Sequence, residues 1–130
     1  MAYNNAVTNA AGQLSAITTT IAYTNTGAVT IGTIPANAQI QNVHIDVTTA
    51  FNAGTTNTVT VGKTGTAAAY VTATSVGSAG RASVATTGVY SAWADVGNSD
   101  VDYATVTFTQ TGTAASAGAA RVTIIYKSFA

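Results

Sequence analysis

QIQNVHIDVTTAF, residues 39–51, decides the fold. Val43, Ile45, Val47, Thr49 and Phe51 share one face of this stretch and His44, Asp46 and Thr48 the other, the alternation of a half-buried β-strand. Ile40 is out of phase with that set, which predicts a bulge near Gln41–Asn42. Towards the N-terminus, residues 28–34 form a second period-2 segment with Val29 and Ile31 on one face, ended by Pro35 and a turn through Ala36 and Asn37. Before it, Ile17, Thr19, Ile21 and Tyr23 alternate with Thr18, Thr20 and Ala22, and the turn 24–27 follows.

Towards the C-terminus, a turn at 52–57 leads into a strand through Val59 and Val61, closed by residues 63–66. A short strand is expected around Tyr70 and Val71. The Gly/Ala/Ser-rich stretch 77–98 accommodates two more, near 82–86 and 89–94. Residues 101–110 form a strand carrying Tyr103, Val106 and Phe108, and 111–119 reads as a long hairpin loop. The last strand, 121–129, places Val122, Ile124 and Tyr126 on one face and Ile125 and Phe129 on the other. No segment has a 3.6-residue period, and alanine is interleaved with Gly and Thr rather than with Leu, Glu or Lys. About seven to nine short strands with frequent turns predict a single-domain, all-β antiparallel β-sandwich or jelly roll, a small barrel being the remaining option. Residues 1–14 read as an extended N-terminal arm and 15–130 as the β-sandwich domain.

Composition narrows the function. Only 6% of the 130 residues are charged and the formal net charge is zero, against about a quarter charged in ordinary soluble domains. A nucleic-acid partner is not expected without a basic stripe to neutralise phosphates. No apolar stretch reaches the length of a membrane helix, and the first residues carry no basic, apolar signal pattern, so neither a membrane nor a secretory route is expected. Cysteine is absent, which removes disulfides, thiolate metal sites and thiol catalysis. Threonine and alanine each make up about a fifth of the chain. A near-neutral surface of this kind does little to keep proteins apart, which suits a protein packed against neighbours in an assembly.

The candidate chemistry is thin. Val61–Gly65 contains the Gly-Lys-Thr of a phosphate loop, but the earlier glycine is replaced by Asn57 and no helix follows; a polar turn is the better reading. Asp95, Asn98, Asp100 and Asp102 gather oxygen ligands that could interest Ca²⁺, yet their order does not fit an EF-hand loop, and a solvated turn is expected. His44, the single histidine, shares a face with Asp46, but no nucleophile stands in a recognisable setting. With no glutamate, paired-carboxylate glycoside chemistry is poorly supplied. No catalytic residue, metal or cofactor is therefore expected, and the protein is not read as an enzyme. Tyr90, Trp93 and Tyr103 could make a sugar platform, although Trp and Tyr are equally at home in cores and interfaces.

The segment IGTIPANAQIQNVHIDVTTAFNAGTTNTVTVG, residues 31–62, resembles a recurrent segment of small virion proteins of tailed bacteriophages. The strand 103–110, the TGTAASAGAA loop and the closing RVTIIYK strand continue the likeness. Such proteins resemble capsid decoration (cement) proteins, which commonly bind as trimers on the outside of the head. The resemblance implies a virion location on the outer capsid surface after synthesis in the bacterial cytoplasm. The partners it implies are the major capsid protein and other copies in a homotrimer. On that reading Tyr3, Asn4, Asn5 and Val7 of the arm contact the partner by strand addition. The oligomer interface is expected to use Ile125, Phe129 and Trp93. The alternatives are a tail or head-fibre component and a glycan-binding module in host recognition.

Overall fold

The computed structural model describes residues 14–35, 38–83 and 102–128. Eight strands follow in order: β1 (Leu14–Ala22), β2 (Ala28–Ile34), β3 (Ala38–Thr49), β4 (Thr56–Lys63), β5 (Thr66–Ser75), β6 (Gly80–Ser83), β7 (Asp102–Thr111) and β8 (Ala119–Ser128). One sheet has the order β1-β8-β3-β6 and the other β2-β7-β4-β5. Every pairing is antiparallel, and β1 pairs with β8, β2 with β7, β3 with β6 and β4 with β5. This is one long hairpin rolled up, the jelly-roll topology.

The alternation in residues 39–51 places the core where expected. Val43, Ile45 and Val47 are buried, and against them from the other sheet come Val59, Val61, Ala104 and Val106, all buried. The expected bulge is present, as a register shift between Ile40 and Asn42 opposite β8, and it returns Ile40 to the interior. A second shift lies between Val47 and Thr49. It breaks the alternation, so Thr49 is exposed instead of sharing the buried face of Val47. In β2, a shift between Thr30 and Gly32 lets both Ile31 and Ile34 face the core despite their odd spacing.

Residues 111–119 do not form a hairpin loop. Thr111 ends β7 in one sheet and Ala119 opens β8 in the other, so the segment crosses the sandwich. The turns after β1, β3 and β5 also change sheet, and all four crossings lie at one end. There Phe51 N–H donates to Val76 O at 3.1 Å, Gly54 N–H to Thr113 O at 2.8 Å, and Tyr23 N–H to Gly118 O at 3.0 Å. Asn52 Oδ1 accepts from the N–H groups of Ser116 and Ala117 at 2.8 and 3.0 Å. Phe51 is 2% exposed and tilts against Phe108 with ring centroids 4.6 Å apart.

Gly118 lies directly on the Phe51 ring, where a Cβ would collide with it, and has φ +151°. Gly118→Ala is expected to cost about 2 kcal/mol or more through this double conflict. Ile45→Ala is expected to cost about 2–5 kcal/mol by leaving a cavity between the sheets. Urea unfolding of each variant checks both values.

Candidate interaction surfaces

The two outer faces of the sandwich differ in chemistry. On the β2-β7-β4-β5 sheet, the pairings Thr56–Thr111, Thr58–Thr109 and Thr60–Thr107 set threonine opposite threonine. Thr30 and Thr105 continue the set into β2. Their β-branched side chains suit the pleat, and the Thr56 and Thr111 hydroxyls are 2.6 Å apart. Thr105 is 7% exposed although it lies on this outer face. Its β4 partner is Gly62. The start of β5 lies directly on that glycine, leaving no room for a Cβ beside Thr66 O and the Ala67 carbonyl. The Thr107 hydroxyl is buried without a hydrogen-bond partner.

The outer face of the β1-β8-β3-β6 sheet carries the charge. Asp46 is opposite Arg121 of β8 and Arg81 of β6, and His44 is opposite Thr123 and Ser83. Arg81 holds Asp46 with two hydrogen bonds, Nε to Oδ1 at 2.6 Å and the second guanidinium nitrogen to Oδ2 at 3.3 Å. The Arg81 hydrogen bond is the main reason the Asp46 carboxyl titrates below its ordinary value, with the nearby positive charges adding to the effect. His44 and Asp46 do share a face, and the Asp46 carboxylate is bound by Arg81 in a cross-strand tie.

Chains of two phage capsid structures share this fold. The chain superposes on one in the cyanophage Pam1 capsid asymmetric unit with a TM-score of 0.64 and 20% identity, covering 91% of this chain and 86% of that one. It also superposes on one in the acidic stable capsid structure of Helicobacter pylori bacteriophage KHP30, with a TM-score of 0.58 and 11% identity, covering 90% and 89% respectively. No protein-family model matches the chain, and no curated protein matches it.

Several expected site residues lie outside the described residues: Tyr3, Asn4, Asn5 and Val7 of the arm, Tyr90 and Trp93, Asp95, Asn98 and Asp100, and Phe129. Ile125 is half-buried on the charged outer face, between Ala16 of β1 and Asn42 of β3. Asp102 opens β7 opposite Ile34. The Lys63–Thr66 segment is the β4–β5 turn, where Thr64 N–H donates to Tyr103 O at 3.1 Å. Among the described residues, no three His, Asp or Glu side chains come together as a metal site would need.

The strand entries and exits that lead to these segments lie at one end of the sandwich. β1 begins at Leu14 opposite Lys127, and β3 begins at Ala38 opposite Ser128. β2 ends at Ile34 opposite Asp102. The chain therefore enters β1, leaves β8 and enters β7 at the end opposite the Phe51 crossings. Leu14 and Tyr103, 59% and 57% exposed, mark this end as well.

Asp46 supplies a pH test. Its folded carboxyl titrates below its unfolded value, so its contribution to stability is full above the unfolded pKa, about 4. That contribution is lost as pH falls through the lower, folded value. Asp46→Asn should therefore flatten the acid limb of the stability profile below about pH 4 and lower stability slightly at neutral pH, read by thermal melting across pH.

Proposed function

We propose that this chain is a structural virion protein of a tailed bacteriophage, a head decoration protein that binds the outer surface of the capsid and stabilises the shell. The observation that carries the proposal is the jelly roll itself, shared over about nine-tenths of the chain with chains of two phage capsid structures. The sequence resemblance of residues 31–62 to small phage virion proteins points the same way. The sparse charge favours a place in an assembly, because charged groups are depleted from the cores of interfaces. The role is non-catalytic.

In this reading the arm residues Tyr3, Asn4, Asn5 and Val7 add a strand to the major capsid protein, gaining affinity through main-chain hydrogen bonds without charged side chains. The chain self-associates as a trimer, with Ile125, Trp93 and Phe129 at the contact. Many copies on a repeating lattice make a modest affinity per site sufficient, since each trimer is held at several points. The arm enters the domain at Leu14, beside the exposed end marked by Tyr103, so one end of the sandwich would face the shell.

Cryo-electron microscopy of the particle is expected to show the chain on the outside of the head; density confined to the tail or fibres would overturn the proposal. Removing residues 1–13 should release the protein from heads while leaving its thermal melting close to that of the full chain. Retention on heads would remove the arm from the interface.

A further inference from the structure

The two sheets have four edge strands: β1 and β6 in one, β2 and β5 in the other. An open edge offers unpaired N–H and C=O groups to any other chain, and proteins blunt such edges with shortness, charge, proline or bulges. Three of the four are blunted. β6 has four residues and carries Arg81. β2 is broken by a register shift and is followed by Pro35. β5 is displaced from β4 by two register shifts.

β1 has none of these protections. It runs nine residues, LSAITTTIA, without charge or proline. Its register against β8 is unbroken from Leu14 to Ala22. Its phase is set by the bond from Tyr23 N–H to Gly118 O. Pairing alternates from there, so the N–H and C=O groups of Leu14, Ala16, Thr18 and Thr20 point away from β8. Ala22 points the same way, but its N–H already donates to Asn25 Oδ1 at 2.6 Å and its carbonyl accepts from Asn25 N–H at 3.0 Å. The side chains of Leu14, Ala16, Thr18 and Thr20 are all exposed. Among the described residues β8 is the one neighbour of β1.

We infer that β1 is a self-pairing edge, binding β1 of a second copy antiparallel about a two-fold axis at Ile17. That register sets Leu14 opposite Thr20 of the other copy and Ala16 opposite its Thr18, so all four free residues pair. Shifting the axis to Thr18 would call on Ala22, whose groups are taken, and shifting it to Ala16 would set Thr20 opposite residue 12, outside β1. Four hydrogen-bonded pairings with two bonds each make eight main-chain hydrogen bonds. With no charge on β1, two copies meet without like-charge repulsion. The contact consumes an edge and no sheet face, so it is compatible with a three-fold contact elsewhere and stands whether or not the chain decorates a capsid.

Cysteine substitution tests the register, because the natural chain has none. Ala16→Cys and Thr18→Cys proteins, mixed and oxidised, should form a mixed disulfide dimer at least tenfold more readily than either protein alone. Residues directly opposite lie at Cα spacings of about 5.5 Å, whereas like residues would be about 8 Å apart, beyond the roughly 7 Å limit for bridging. Equal cross-linking in all mixtures, or none, would overturn the inference. On the otherwise natural chain, Ala16→Pro removes one outward N–H and spares the β8 ladder, since proline is tolerated where an edge N–H faces outward. It should raise the dissociation constant of the two-fold contact at least tenfold in sedimentation velocity, with circular dichroism unchanged. A folded Ala16→Pro protein that assembles like the natural chain would also overturn it. If Ala16→Pro does not fold, Thr18→Lys, which sets charges near the axis, must give the same loss. Amide exchange on the natural chain should protect residues 14, 16, 18 and 20 only at concentrations where it self-associates; protection persisting in a monomer would mean that the edge is occupied otherwise.

Discussion

Phe51 is the pin on which the sandwich turns. The chain passes between the sheets at both ends of the sandwich, and the four crossings at one end, after β1, β3, β5 and β7, converge on one ring and its backbone. Phe51 lies against Phe108, receives the flat surface of Gly118 and donates its N–H to Val76. The side-chain amides of Asn52 and Asn57 then bind neighbouring loop backbone, Asn57 Oδ1 accepting from Ala53 N–H at 2.8 Å. Buried loop backbone needs partners of this kind, because an unpaired buried amide or carbonyl costs as much as a lost hydrogen bond.

The distribution of charge follows a similar division. Asp46, Arg81 and Arg121 lie on the β1-β8-β3-β6 side, where Arg81 and Asp46 also tie the short β6 strand to β3, while Lys63 and Asp102 stand at strand ends in the other sheet. The opposite face is threonine set against threonine, and cross-strand contacts between these side chains add to its order. Exposed ion pairs add little stability, so the Arg81–Asp46 contact is better understood as fixing β6 at its place on the sheet edge. The edges show the same economy. Bulges, a proline and one arginine guard three of them, and β1 is left plain.

Much of this was legible in the residues. The alternation through Val43, Ile45 and Val47 announced a buried strand, and the phase break at Ile40 announced its bulge, because a side chain's face is set by strand parity alone. The second shift after Val47 was not legible. Thr49 is as compatible with a buried face as with an exposed one, and its burial depends on where β8 ends. Asn52 and Asn57 read as turn residues and Gln110 as the end of a strand. Of the three, only Asn52 has a side-chain partner far along the chain, Ser116; Asn57 accepts from Ala53 and Gln110 from Ala115, both within five residues, so those contacts depend on the local path of the loop.

By itself, then, the sequence determined the class: strand periodicity without a helical period builds an all-β antiparallel domain, sandwich, jelly roll or small barrel, and the residue types supply little chemistry. The tertiary structure alone decided which strands are neighbours. Pairing β1 with β8 and β2 with β7 joins residues about a hundred positions and about seventy-five positions apart, and nothing local records such a choice. It made residues 111–119 a crossing where their composition suggested a hairpin. It also left β1 at an edge. An identical strand in the middle of a sheet would have had no main-chain groups to offer a partner.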